Sequence, residues 1–145
     1  MSFTSTALKN LVVGDIIYVD VHIDKADTAD PNSKSTTAKK IKKGDPVTRL
    51  AVVLVAGASS VQVTYLATFA QSTQLPTTFT DKTMWYPIKP ATKESTYDPL
   101  PALPNGKAQW ACLRKKQTIT TDPVNKTAEN IGATSAGLIL AAMKA

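Results

Sequence analysis

Two runs of apolar and β-branched residues, separated by a short turn, constrain the fold of this chain more than any other feature. The first run, residues 49–55, is almost wholly apolar and is typical of a strand that is buried on both faces. The second run, residues 61–69, alternates at its start, so that one of its faces carries Val61, Val63 and Tyr65. Because the turn between the runs contains glycine and serine, the pattern predicts a β-hairpin, which we place at the centre of a small β-barrel.

Length and composition indicate one globular domain over residues 1–145. Hydrophobic residues make up 43% of the chain, which is enough to form a core without disulfides. The single cysteine, Cys112, excludes an internal disulfide and most cysteine zinc sites, and it fits a reducing compartment. Residues 1–10 lack the features of a signal peptide, and no stretch approaches the roughly 18 apolar residues of a membrane span. We therefore expect a cytoplasmic protein that does not enter a membrane.

Further secondary structure is predicted on both sides of the hairpin. Residues 16–23 alternate between apolar and polar side chains and predict a half-buried strand. Later strands are predicted within residues 77–88, 109–113 and 117–121, with a stop after the last. Residues 134–145 carry apolar residues at helical spacing, with Thr134 or Ser135 as a cap. The sequence therefore predicts a mainly-β fold, a small barrel with a C-terminal α-helix and long irregular loops.

Two long segments are predicted to be loops. Residues 25–48 are polar and rich in lysine, and they contain few large apolar residues, so we expect a long mobile loop whose second half could form a short strand. Residues 89–107 are rich in proline, which does not fit a central strand, so we expect an irregular connection.

The net charge of +6 favours a polyanionic partner such as nucleic acid, although it could also serve only solubility. Two basic clusters could contact phosphates and release counterions, or could simply be solvated: Lys34, Lys39, Lys40, Lys42 and Lys43, and then Arg114, Lys115 and Lys116. Three aromatic rings could stack on bases beside these charges or belong to the core: Trp85, Tyr86 and Trp110.

Other polar residues suggest chemistry less strongly. Asp20, His22 and Asp24 are alternate residues of one strand, and they could bind a metal or transfer protons. Strand neighbours two apart are separated by roughly 6.5–7 Å, so three direct ligands from one strand are awkward, and a solvated strand face is the alternative. Cys112 could be a nucleophile that pairs with His22, or a buried inert thiol. No glycine-rich phosphate loop, zinc spacing or hydrolase elbow occurs, so we predict no cofactor and no metal.

Arg49 and Thr68 form the most specific candidate site. Arg49 begins the apolar run, and Thr68 closes the next one. In an antiparallel pair the start of one strand lies beside the end of its partner, so we expect both side chains at one rim of the barrel, under the long loop. A guanidinium and a hydroxyl there suit a phosphodiester, although both residues could also have no role beyond the strand edge.

The order of these elements resembles that of the PemK/MazF family of toxin endoribonucleases. Residues 14–20 resemble the opening strand of the family, residues 49–55 its arginine-proline-alanine-valine-valine strand, and residues 63–68 its next strand, which ends in threonine. Residues 110–120 resemble its late strand pair, and the final helix also matches. The sequence departs from the family at Leu50, where proline is usual, and in its two long predicted loops.

This resemblance implies an SH3-like barrel, usually a homodimer, that cuts single-stranded RNA without a metal. Arg49 and Thr68 would then act at the scissile phosphate, where a 2′-hydroxyl is the nucleophile, and the lysines of residues 34–43 would hold the RNA backbone. A degenerate relative that only binds RNA is also compatible with the departures. The alternatives from other functional classes are a non-catalytic SH3-like module that binds a protein through its rim, and a structural protein.

Overall fold

The computed structural model describes residues 2–30 and 32–145, and its strands pair antiparallel in one sheet. The strands in these residues are β1 (Thr4–Thr6), β2 (Asp15–Val21), β3 (Val47–Val55), β4 (Val61–Ala67), β5 (Trp85–Ile88), β6 (Gln109–Cys112), β7 (Gln117–Ile119) and β8 (Val124–Asn130). The two α-helices are α1 (Thr36–Lys43) and α2 (Ala133–Ala142). The predicted mainly-β fold with a C-terminal helix is therefore confirmed.

The strand order in the sheet is β1-β8-β2-β3-β4-β6-β5, and β7 also pairs with β4. His22 follows β2 directly, and Gln117 is the first residue of β7. The Gln117 side chain makes two hydrogen bonds of 2.8 Å with the backbone of His22 and so connects the end of β2 to β7. Among the described residues no ladder joins β1 to β5, so closure of the sheet into an SH3-like barrel stays a prediction.

The predicted central hairpin is present as β3 and β4. Ala51 lies opposite Tyr65, and Val53 lies opposite Val63. The register then shifts at an irregularity before Val55, at the turn end of the hairpin. The predicted arrangement of two paired strands around residues 56–60 is therefore confirmed.

Side chains from both faces of β3 are buried, as its apolar run predicts. Ala51 and Val53 belong to one hydrophobic cluster, while Val52 and Leu54 belong to a second cluster on the opposite face. The second cluster is covered by α2, which contributes buried Ala136 and Ile139. The three rings that could have stacked on bases are buried core residues instead: Trp85 and Trp110 in the first cluster and Tyr86 in the second.

The prediction of a mobile loop or strand over residues 25–48 is wrong for its second half, which forms α1. The Ser35 hydroxyl accepts a hydrogen bond of 3.1 Å from the Ala38 amide and caps the helix. Gly44 ends it in the left-handed conformation, with a φ of 78°. Ala38 and Ile41 are buried, so two modest apolar residues on one face suffice to dock a short, lysine-rich helix.

Two strands were not predicted, β1 and β8. The predicted stop at residues 122–123 lies immediately before β8, whose polar sequence does not look like a strand. It forms because β1 and β2 pair with it on both sides, and because Val124 and Thr127 are buried. Residues 89–107 are irregular apart from one isolated bridge at Leu100, as their prolines predict.

The predicted final helix is confirmed with slightly different bounds, and it begins after Gly132 rather than at a side-chain cap. Neither this helix nor any other in the described part of the chain has the length and apolar character needed to cross a membrane.

Candidate functional site

Arg49 and Thr68 line one open cleft at the end of the β3–β4 hairpin that lies opposite its turn. The cleft has a volume of about 470 Å³, and its other wall is formed by side chains from residues 23–30 and 33–41. Its size is within the range of small-molecule and nucleotide sites. The segment that was predicted to lie over Arg49 and Thr68 does form this wall, partly as α1.

Arg49 is held at the cleft by its position in the middle of the sheet. It pairs with Val19 of β2, and its side chain is half-buried. The guanidinium Nη1 donates a hydrogen bond of 2.8 Å to the Thr48 carbonyl, which uses one of the five N–H donors of an arginine. This contact orients the guanidinium of a residue that lines the cleft.

Thr68 is held by an unusual turn that directly follows β4. The next three residues have positive φ values, which residues other than glycine rarely adopt. The values are 44° at Phe69, 57° at Ala70 and 62° at Gln71. The turn is stabilised by the Phe69 ring, whose centroid lies 5.2 Å from that of Phe79 and 5.0 Å from that of Trp85. Strained backbone of this kind often accompanies functional sites, and the sequence gives no signal for it.

The remaining lining of the cleft offers hydroxyl groups and aromatic surface. The hydroxyls belong to Thr28, Ser33, Ser35, Thr37 and Thr48. Tyr18 is 38% exposed and stacks on Phe3 with the ring centroids 5.1 Å apart, so its ring edge is available to a ligand. The carboxylates of the lining are those of Asp27 and Asp30. Such a cleft can bind a sugar-phosphate through its polar groups and a base through its rings.

The lysines that were predicted to hold RNA lie outside this cleft. Helix α1 turns Thr37, Ala38 and Ile41 toward the cleft, so the lysines at the intervening positions point to solvent. The five predicted lysines are all exposed, namely Lys34, Lys39, Lys40, Lys42 and Lys43. They form a basic outer surface beside the cleft rather than part of its wall.

Arg114 was predicted to contact RNA, but it is engaged in an internal ion pair. Its Nε and Nη2 donate hydrogen bonds of 2.7 Å to the two carboxylate oxygens of Asp27. Asp27 is only 5% exposed, and these bonds raise the pKa of the guanidinium of Arg114. Its basic neighbours Lys115 and Lys116 line a second cavity of about 570 Å³, which shares Asp27 with the first cleft.

Cys112 is a buried thiol rather than an activated nucleophile. It is 1% exposed, and its Sγ lies 3.7 Å from a carboxylate oxygen of Asp27. Burial, and then the charge of Asp27, raise the pKa of the Cys112 thiol to about 11, although the Tyr65 hydroxyl beside it lowers that pKa somewhat. The thiol is therefore protonated at neutral pH, and the interpretation as an inert cysteine is the one that fits.

The acidic residues around His22 have structural partners. Asp20 accepts a hydrogen bond of 2.6 Å from the Thr48 hydroxyl, and Asp24 accepts one of 2.9 Å from the Ala26 amide. Within residues 2–30 and 32–145, no group of three or more histidine, cysteine, aspartate or glutamate side chains could hold a metal ion.

Sequence reasoning missed Asp27 and the role of Tyr65. A single aspartate in a polar segment carries no signal of burial, because its partner Arg114 lies 87 positions away.

Comparisons of the chain with protein-family models, with curated proteins and with solved structures find no match. The functional argument therefore rests on the geometry of the cleft and on the sequence.

Proposed function

We propose that the protein binds single-stranded RNA in the cleft of Arg49 and Thr68 and, as a PemK/MazF-like endoribonuclease, cleaves it without a metal. The observation that carries this proposal is that an arginine of β3 and a threonine directly after β4 line one open, nucleotide-sized cleft. The homodimer that the resemblance implies, and the cytoplasmic location that the sequence predicts, belong to the same proposal.

In the proposed reaction the 2′-hydroxyl of the RNA attacks the adjacent phosphorus. The bond from phosphorus to O2′ forms while the bond to the 5′-oxygen of the next nucleotide breaks, giving a 2′,3′-cyclic phosphate and a 5′-hydroxyl. The nucleophile loses one proton to water and the leaving oxygen gains one from water, so protons balance. Arg49 stabilises the charge that develops on the phosphoryl oxygens, and the Thr68 hydroxyl donates to one of them.

The basic outer face of α1 supports binding of a strand longer than one nucleotide. A chain that leaves the cleft beside Thr37 and Ala38 would meet the exposed lysines on the next faces of the same helix. Such contacts hold the RNA backbone through its phosphates without reading the sequence.

A second form of the proposal is a relative that binds RNA without cutting it. Cleavage profits from a base for the 2′-hydroxyl proton, and the carboxylates of the cleft lining are Asp27 and Asp30. Arg114 binds both oxygens of Asp27, and one oxygen of Asp30 accepts a hydrogen bond of 3.0 Å from the Asn32 amide, so only the other oxygen of Asp30 is left to act as a base. This feature favours binding over fast catalysis.

The test is incubation of the purified protein with single-stranded RNA of varied sequence in EDTA. We expect cleavage that leaves 2′,3′-cyclic phosphate ends, at least about 100-fold slower in Arg49→Ala, because one transition-state donor contributes roughly that factor. Thr68→Val should slow the reaction, whereas the matched variant Thr68→Ser, which retains the hydroxyl, should stay close to wild type.

The outcomes separate the two forms of the proposal from the other functional classes. RNA binding that depends on Arg49, with no cleavage, identifies the degenerate relative. If the RNA is neither cut nor bound, the proposal is wrong, and a protein-binding or structural role takes its place.

A further inference from the structure

A second cavity, of about 570 Å³, lies beside the first cleft and has a different chemical character. Ile23, Asp27 and Tyr65 line both cavities, so these residues form the shared wall. The far side of the second cavity is formed by the basic residues that follow β6 and by the start of β7.

Tyr65 brings an unsatisfied polar group to this cavity. The residue is 4% exposed, and its hydroxyl makes no hydrogen bond of good geometry with the described residues, since the group beside it is the weakly accepting Cys112 thiol. The Trp110 Nε1 group is the other such atom in this part of the chain, but Trp110 is packed in the core and lines neither cavity. Because buried hydroxyl groups are normally hydrogen-bonded and a thiol is only a weak acceptor, the hydroxyl of Tyr65 can take a stronger partner from the cavity.

Donors exceed free acceptors around this hydroxyl. The ion pair with Asp27 uses Nε and Nη2 of Arg114, so its remaining N–H groups are available. Lys115 and Lys116 add two ammonium groups to the lining. The lining also carries two carboxylates: Asp27 is held on both oxygens by Arg114, and Asp24 accepts from the Ala26 amide with one oxygen.

We propose that the second cavity binds a phosphate monoester, with the Tyr65 hydroxyl donating to one phosphate oxygen and with Lys115 and Lys116 neutralising its charge. A phosphate monoester presents three terminal oxygens, which suits a lining that offers a hydroxyl, a guanidinium and two ammonium groups as donors. Burial raises the pKa of Tyr65, so its hydroxyl keeps the proton that it donates. This inference does not rest on RNA binding at Arg49 and Thr68.

The test is calorimetric titration of the whole protein with inorganic phosphate and with a nucleoside 5′-monophosphate at low salt. We expect saturable binding that Tyr65→Phe weakens by about tenfold or more, since a hydrogen bond to a charged group is lost. The same variant should keep the melting temperature of the wild type or raise it, because the hydroxyl has at most a weak contact with the Cys112 thiol to lose. If Tyr65 only supported the fold, Tyr65→Phe would lower the melting temperature and leave phosphate binding unchanged.

Matched variants control for general effects. Tyr97→Phe removes a hydroxyl outside the cavity and should leave phosphate binding unchanged. Lys107→Gln removes a charge outside the cavity and should also leave binding unchanged, whereas Lys115→Gln should weaken it. The proposal is wrong if neither probe binds, or if Tyr65→Phe binds them as tightly as the wild type.

An additional arm distinguishes the source of the phosphate. An RNA end as the ligand predicts that a 5′-phosphorylated oligoribonucleotide binds more tightly than its 5′-hydroxyl form, and that Tyr65→Phe removes the difference. A free metabolite as the ligand predicts the same dependence on Tyr65 for the nucleotide alone. Either result supports the site.

Discussion

Four side chains that lie in or beside the wall between the two cavities depend on one another. Arg114 binds both oxygens of Asp27, and the Cys112 thiol and the Tyr65 ring pack beside this pair. Burial raises the pKa of both the thiol and the phenol, so each of them is neutral at physiological pH. The ionised groups of the wall are thus the members of the ion pair, and removal of either would leave the other without its partner.

The burial of Cys112 predicts a loss of stability in alkali. The pKa of the thiol rises from its ordinary value of 9.0 to about 11 in the folded protein. Below pH 9 the thiol is protonated in both states, so its effect on stability is constant. Between about pH 9 and pH 11 the unfolded chain loses the proton first, so the free energy of unfolding should fall, by at most about 3 kcal/mol.

Chemical denaturation at a series of pH values from 8 to 11 measures this effect. Cys112→Ala should lower stability at pH 8 because it leaves a small cavity, but its stability should fall less steeply above pH 9. Part of the decline should persist in that variant, because the pKa of Tyr65 is raised as well. Parallel curves for the wild type and Cys112→Ala would show that the thiol does not contribute.

At the scale of secondary structure, prediction succeeded where the sequence pattern was local and failed where distant partners decide. The apolar run of β3 and the alternation of β4 predict the hairpin. A strand that is buried on both faces is continuously apolar, whereas a strand that is buried on one face alternates between apolar and polar residues. Strand β8 lacks such a pattern and owes its conformation to β1 and β2. Helix α1 was missed although Ser35 and Gly44 are typical of helix ends, because its few apolar residues suggested a loop.

The outward lysines of α1 predict a strong effect of salt on RNA binding. If Lys39, Lys40, Lys42 and Lys43 each neutralise one phosphate, replacement of all four by glutamine should make the dependence of log K on log salt shallower by about 3. A control variant replaces four other exposed lysines by glutamine, namely Lys9, Lys82, Lys89 and Lys107. Its net charge equals that of the first variant. An equal change of slope in both variants would assign the effect to total charge rather than to α1.

At the scale of the whole molecule, the cleft arises from contacts that no local pattern predicts. The sequence places Arg49 and Thr68 at neighbouring strand ends, but the opposite wall forms because residues 22–30 and 32–43 fold back over the hairpin. Hydrogen bonds across large sequence separations hold this segment, including that of 2.7 Å from the Thr78 hydroxyl to the Ala29 carbonyl. The site residues could therefore be predicted from strand order, whereas the second cavity and its shared wall could not.

The central claim is that RNA binds at the open end of the hairpin. The most direct measurement is an NMR titration of the isotope-labelled protein with a single-stranded oligoribonucleotide, which follows the backbone amides at low salt and in EDTA. We expect the largest shifts at residues 48–50 and 67–69 and along α1, and their loss in Arg49→Ala. Shifts confined to other surfaces, or a titration that Arg49→Ala does not change, would contradict the assignment of this cleft to RNA.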